Sequence, residues 1–162
     1  MATTGALAPE FTLTDLDGTG HRLSDALDQG PVLLVIWQAG CGTCKLAAPY
    51  LNRLRESYPD AGWTFWMVAQ DAASAAGAFA GTFTLRPTVL VDGPEMTVSD
   101  AYDPDATPAF YLIESDGHID AAFDGFDKEW LNEVSRRIAG HLGEPYAEIA
   151  PPDDGVARFR PG

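Results

Sequence analysis

The chain has 162 residues, 46% hydrophobic and 10% aromatic, enough to bury the core of one domain and too apolar for a disordered chain. Its 24 acidic residues outweigh 10 basic ones for a net charge of −14, which argues against nucleic-acid backbones and anionic membranes as partners. No stretch approaches the ~18 consecutive apolar residues of a membrane helix, and Met1–Ala6 lacks a basic, apolar leader, so a cytoplasmic protein is expected.

Phe11-Thr12-Leu13-Thr14 alternates with period two, Asp17-Gly18-Thr19-Gly20 supplies turn chemistry, and His21-Arg22-Leu23 resumes, predicting an N-terminal hairpin. Ser24 is placed to cap a brief helix through Leu27. Gly30-Pro31 then punctuates before an apolar strand over 32–38. Leu46, Tyr50, Leu51, Leu54 and Tyr58 recur at helical spacing, predicting a helix over 42–57 with a kink at Pro49. Trp63–Ala69 is apolar on both faces, as a central strand covered by helices must be. A helix over Ala72–Phe83, a strand over Thr88–Val91 and a short helix over Pro94–Tyr102, proline in its first turn, follow. Ala109–Ile113, Ser115-Asp116-Gly117 and His118–Phe123 read as a hairpin, and Trp130, Leu131, Val134, Ile138 and Leu142 as one stripe of a helix over 128–142. Strands alternating with helices and a closing hairpin predict a mixed sheet sandwiched between helices, an α/β domain over 1–142. Residues 143–162 read as a Pro-rich tail without regular structure. Tyr146, Ile149, Val156 and Phe159 are apolar anchors that suit docking, with Tyr146 or Phe159 seated on the domain, the alternative being a frayed terminus.

The only two cysteines stand in Cys41-Gly42-Thr43-Cys44, directly after the apolar run Val32–Trp37 and at the start of a predicted helix. A helix N-terminus presents free N–H groups and a positive dipole end, which favour a thiolate at Cys41 and move such thiols from ~8.5 towards ~3.5–7.5. Cys44, one turn on, lies on the same face and can close a disulfide with Cys41. Zinc requires four ligands, whereas there is no second Cys pair and His21, His118 and His141 are scattered. A static disulfide closing so short a loop would constrain little of the unfolded chain. The pair therefore reads as a redox dithiol, with no metal and no cofactor.

With these elements the chain resembles the thioredoxin superfamily, in particular its redoxin or TlpA-like thiol–disulfide oxidoreductases. The resemblance rests on Ala8-Pro9-Glu10-Phe11 with the hairpin, Trp37 ahead of the Cys pair, Lys45, Thr107-Pro108 before an apolar strand, and Ile113–Ile119. The strand–helix unit at 88–102 is the insertion that separates these proteins from minimal thioredoxins. The resemblance implies catalysis by Cys41 and Cys44 and a cis Thr107–Pro108 bond that lets Thr107 offer main-chain groups to an extended substrate. Gly42 and Thr43 join Thr107 and Pro108 as expected substrate-binding positions, and Trp37 either joins them or is a core aromatic. A disulfide-bearing protein or small molecule is the expected substrate, and an external thiol the expected electron donor. Three positions depart from the family pattern. Val35 and Ala47 stand where acids often help move the Cys44 proton, and Gly40 where an aromatic residue is common, which predicts a more open site. Two other readings differ in kind: a peroxiredoxin-like peroxidase, for which Gln38 and Leu34 are the wrong residues, and a non-catalytic binding module.

Overall fold

In the computed structural model, which describes residues 1–162, the elements follow the order β1 (Thr12–Asp15), β2 (Gly20–Arg22), α1 (Leu23–Leu27), β3 (Val32–Trp37), α2 (Gly42–Ser57), β4 (Thr64–Ala69), α3 (Ala73–Phe83), β5 (Thr88–Val91), α4 (Thr97–Tyr102), β6 (Ala109–Ile113), β7 (Ile119–Asp124), β8 (Phe126–Asp127), α5 (Lys128–Leu142) and β9 (Phe159–Arg160). Seven strands form one mixed sheet in the order β2-β1-β5-β4-β3-β6-β7. β3, β4 and β5 run parallel to their neighbours in that group; β6, β7, β1 and β2 add antiparallel. The α/β sandwich expected from the alternation of strands and helices is the observed architecture.

Successive side chains of a strand point to opposite faces, so each central strand feeds two cores. Leu33, Val35 and Trp37 join Phe65, Met67, Phe110 and Leu112 under α2, α3 and α5. Val32, Leu34 and Ile36 join Trp66, Val68 and Tyr111 on the other face, closed by Phe11, Leu23, Val98 and Tyr102. β3 is buried at all six positions, which explains why its sequence shows no polar alternation.

Three local expectations are corrected. Ser24 is not the cap of α1: Arg22 takes the capping position without a side-chain bond, and Ser24 lies inside the helix with its amide donating to Glu10 at 3.3 Å. Pro94 is not in the first turn of α4, which begins at Thr97; Pro94 follows Gly93 through a cis bond. The capping of α4 comes from Asp92, whose buried carboxylate accepts from the amides of Val98 (3.0 Å) and Ser99 (2.7 Å) and from the Ser99 hydroxyl (2.7 Å). A buried carboxylate is stable there because these donors replace its water. Finally, the tail is not wholly irregular, since β9 pairs antiparallel with β8, Phe126 opposite Arg160 and Asp127 opposite Phe159. α2 passes through Pro49 as one unbroken helix, the proline on its exposed side.

Candidate active site

β3 ends at Trp37, and the loop Gln38–Gly40 delivers Cys41 to the N-terminus of α2. Asp71, just beyond β4, holds that loop: its carboxylate accepts from the Ala39 amide at 2.6 Å, while Gln38 donates to Gln70 at 2.6 Å. Cys41 and Cys44 form a disulfide, with their Cα atoms 5.2 Å apart. Cys41 is the capping residue of α2, and its sulfur accepts from the Cys44 amide at 3.0 Å. In the reduced pair that amide and the helix dipole favour negative charge on the Cys41 sulfur. Cys41 is half-buried, whereas Cys44 is only 2% exposed, so Cys41 carries the more accessible sulfur.

The Thr107–Pro108 bond is cis and lies beside the cysteines, the Thr107 carbonyl oxygen 3.2 Å from the Cys41 sulfur. The structure thus brings Cys41, Cys44, Gly42, Thr43, Thr107 and Pro108 to one place although 66 residues separate Cys41 from Thr107. Trp37 is the exception and is corrected to its core reading: it is fully buried, its ring tilted against that of Phe79 with centroids 4.4 Å apart, so it shapes the core beneath the site. Val35 and Ala47 are likewise fully buried apolar side chains, and neither position offers a proton acceptor. An apolar groove of about 490 Å³ opens nearby between α2 and α3, lined by Ala39, Lys45, Ala78, Phe79 and Phe83.

Sequence reasoning missed the tail's role at the site. Ile149 and Ala150 are buried in the core under α2 and α5, and both amides donate to Asn132 at 2.9 Å. The docking is therefore as expected, but Ile149 is its buried anchor: Phe159, 49% exposed, meets only the ring of Phe123 edge-on at 6.5 Å, and Tyr146 is 43% exposed. Asp154 then pairs with the buried Lys128 ammonium and accepts from the Tyr50 hydroxyl at 2.6 Å. Beyond this clamp the chain reaches the cysteines: Arg160 lies on Gly42, and the Thr43 hydroxyl donates to the Pro161 carbonyl at 2.7 Å. The more open site expected from Gly40 is therefore partly covered by residues 160–162.

The clamp carries a pH signature. Lys128, then Tyr50, hold the Asp154 carboxyl at about 2 against its ordinary 3.8. Burial, then the Asp154 carboxylate, pushes the Tyr50 phenol up to about 12. A carboxylate whose pKa is lowered by docking stabilises the docked form above its free value and loses that contribution as pH falls through the lowered one. Docking is expected to be complete above pH 3.8 and to loosen as pH falls towards about 2. The methyl resonances of Val156, whose amide donates to Asp154 at 3.0 Å, should move towards free-peptide positions over that interval by NMR, while those of the buried Ile149 stay in place. Unchanged Val156 resonances would contradict the clamp.

Comparison with known proteins gives a consistent result. Residues 3–136 match the family model described as Redoxin. The thiol-disulfide oxidoreductase ResA of Geobacillus kaustophilus (strain HTA426) is 33% identical over 116 residues, which are 71% of this chain and 66% of that protein. ResA of Bacillus thuringiensis subsp. konkukian (strain 97-27) is 31% identical over 137 residues, 83% of this chain and 78% of that one. Among solved structures, a putative thiol:disulfide interchange protein DsbE from Chlorobium tepidum superposes with a TM-score of 0.77 at 26% identity, covering 88% of this chain and 100% of that chain.

Proposed function

The chain belongs to the redoxin family, and from that premise we propose that it is a thiol–disulfide oxidoreductase whose Cys41–Cys44 pair reduces or exchanges disulfides in protein substrates. The observation that carries this reading is the disulfide at the α2 N-terminus beside the cis Thr107–Pro108 bond. The Cys41 thiolate attacks one sulfur of the substrate disulfide and bonds to it, that S–S bond breaks, and the other substrate sulfur leaves as thiolate. Cys44 then loses its proton and attacks the Cys41 sulfur, releasing the second substrate thiolate and leaving the Cys41–Cys44 disulfide. The substrate has gained two electrons; the proton given up by Cys44 passes to one of its thiolates, directly or through water, and water protonates the other. An external dithiol of the cell supplies the two electrons that restore the pair. The Cys44 amide holds the Cys41 anion in place, and Thr107 offers its main chain to an extended substrate segment. The apolar groove between α2 and α3 suits a protein substrate better than a small polar disulfide. A cytoplasmic setting is carried as part of the proposal and is tested by cell fractionation.

Turnover of insulin disulfides with a dithiol donor, measured beside hydrogen peroxide consumption, tests the reading. Insulin reduction is expected, together with peroxide consumption no faster than that of a free thiol. Peroxide turnover without insulin reduction would replace the proposal with a peroxidase.

A further inference from the structure

Residues 159–162 run from the end of β8 past the Cys-x-x-Cys turn to Thr107. The β8–β9 ladder brings the segment in, extended by the Lys128 amide donating to the Arg158 carbonyl at 2.9 Å. Gly125 lets it approach: at φ +87 its missing side chain would meet the Arg160 carbonyl oxygen at 2.8 Å and the Gly162 nitrogen at 3.2 Å. Arg160 then passes over the first residue of α2, where a Cβ on Gly42 would stand 3.1 Å from its guanidinium. The Pro161 carbonyl accepts from Thr43, inside the Cys-x-x-Cys turn. Gly162 ends against Thr107, where a Cβ on it would lie 2.6 Å from the Thr107 oxygen and 3.0 Å from its nitrogen. These are the two main-chain groups that the proposed mechanism offers to a substrate.

We propose that residues 159–162 are an intramolecular competitor for the polypeptide-binding edge formed by Thr43 and Thr107, so that a protein substrate reaches Cys41 only when this segment lifts away. This rests on the oxidoreductase reading for its consequence, but the occupancy itself does not. The anchoring is divided in a way that suits a gate. Ile149, Ala150 and Asp154 fix the tail firmly upstream, while residues 159–162 are exposed on their outer side and held by the short β8–β9 ladder and one side-chain bond. Short tethers give effective concentrations of mM order, so a segment that binds its groove only weakly still competes. With an effective concentration about ten times its dissociation constant, the tail raises the apparent KM of a polypeptide substrate about tenfold.

The test compares the full chain with one lacking residues 159–162, which keeps Ile149 and Asp154 and hence the fold. Deletion is expected to lower the KM for insulin about tenfold with kcat little changed. The synthetic peptide Arg-Phe-Arg-Pro-Gly, titrated into the shortened chain to ~10 mM, should shift the Thr43 and Thr107 amide resonances and inhibit insulin reduction competitively. An unchanged or raised KM after deletion, or a titration that leaves both amides in place, would overturn the proposal. If neither chain reduces insulin, the oxidoreductase reading fails, and the resonance shifts alone decide whether the segment occupies this edge.

Discussion

Replacing Cys41 by serine is expected to slow disulfide reduction at least about a thousandfold, a barrier increase of about 4 kcal/mol. The loss follows from chemistry and not from folding. A hydroxyl at the α2 N-terminus still accepts the Cys44 amide, so the melting temperature should move little, but an alcohol is not ionised at neutral pH and cannot attack a disulfide. Cys44→Ser should behave differently. Cys41 still attacks, the resolving thiol is missing, and mixed disulfides accumulate on Cys41 as species identifiable by mass spectrometry. Equal activity of Cys41→Ser and the parent, measured by insulin turnover, would move the nucleophile elsewhere. Trapping on Cys44 in a Cys41→Ser protein would reverse the two roles.

Ending the chain at Leu142 is expected to lower the melting temperature by roughly 10–20 °C. Ile149 is fully buried, Ala150 nearly so, and Val156 and Ala147 pack on the same core. Exposing them and the surface they cover costs about 4–6 kcal/mol at ~1.5–3 kcal/mol for each large apolar side chain. For a chain of this size each kcal/mol corresponds to about 2–4 °C. The bonds from Asn132, Ser135 and Lys128 to tail carbonyls contribute less, since water replaces them once the tail is gone. Differential scanning calorimetry decides. A shift below a few degrees would mean that the tail covers the domain without stabilising it. Deleting only residues 159–162 should leave most of this stability in place, so the stabilising and gating contributions of the tail separate experimentally.

The site was legible because its chemistry is compact in sequence. The two cysteines are one helical turn apart, the apolar run before them marks a central strand, and periodicity fixes the helix they open. Gly30-Pro31, Asp92-Gly93 and Ser115-Asp116-Gly117 likewise mark element boundaries through turn preferences that act within a few residues. Trp37 shows the limit of the same reasoning. An aromatic residue four positions before Cys41 looks like a contact residue, but strand alternation cannot tell the core from a cleft wall, and Phe79 of α3 decides it. Ser24 and Pro94 failed for a related reason. Each has the right local preference, and each lost to a partner outside its own element, Glu10 in one case and Asp92 in the other.

By itself, then, the sequence determined the α/β alternation, the Cys-x-x-Cys pair and its placement at the start of α2, because all of these depend on neighbours within a turn of helix or a strand's length. Only the tertiary structure decided what surrounds the pair. Asp71 steadying Ala39, Lys128 and Tyr50 capturing Asp154, and the tail laid from Phe126 to Thr107 all join residues 26 or more positions apart. In sequence, Asp154 and Pro161 both belong to a Pro-rich tail without regular structure. Their partners are set by how a sheet and two helices pack, and long-range contacts of single polar groups leave no periodic trace in the chain.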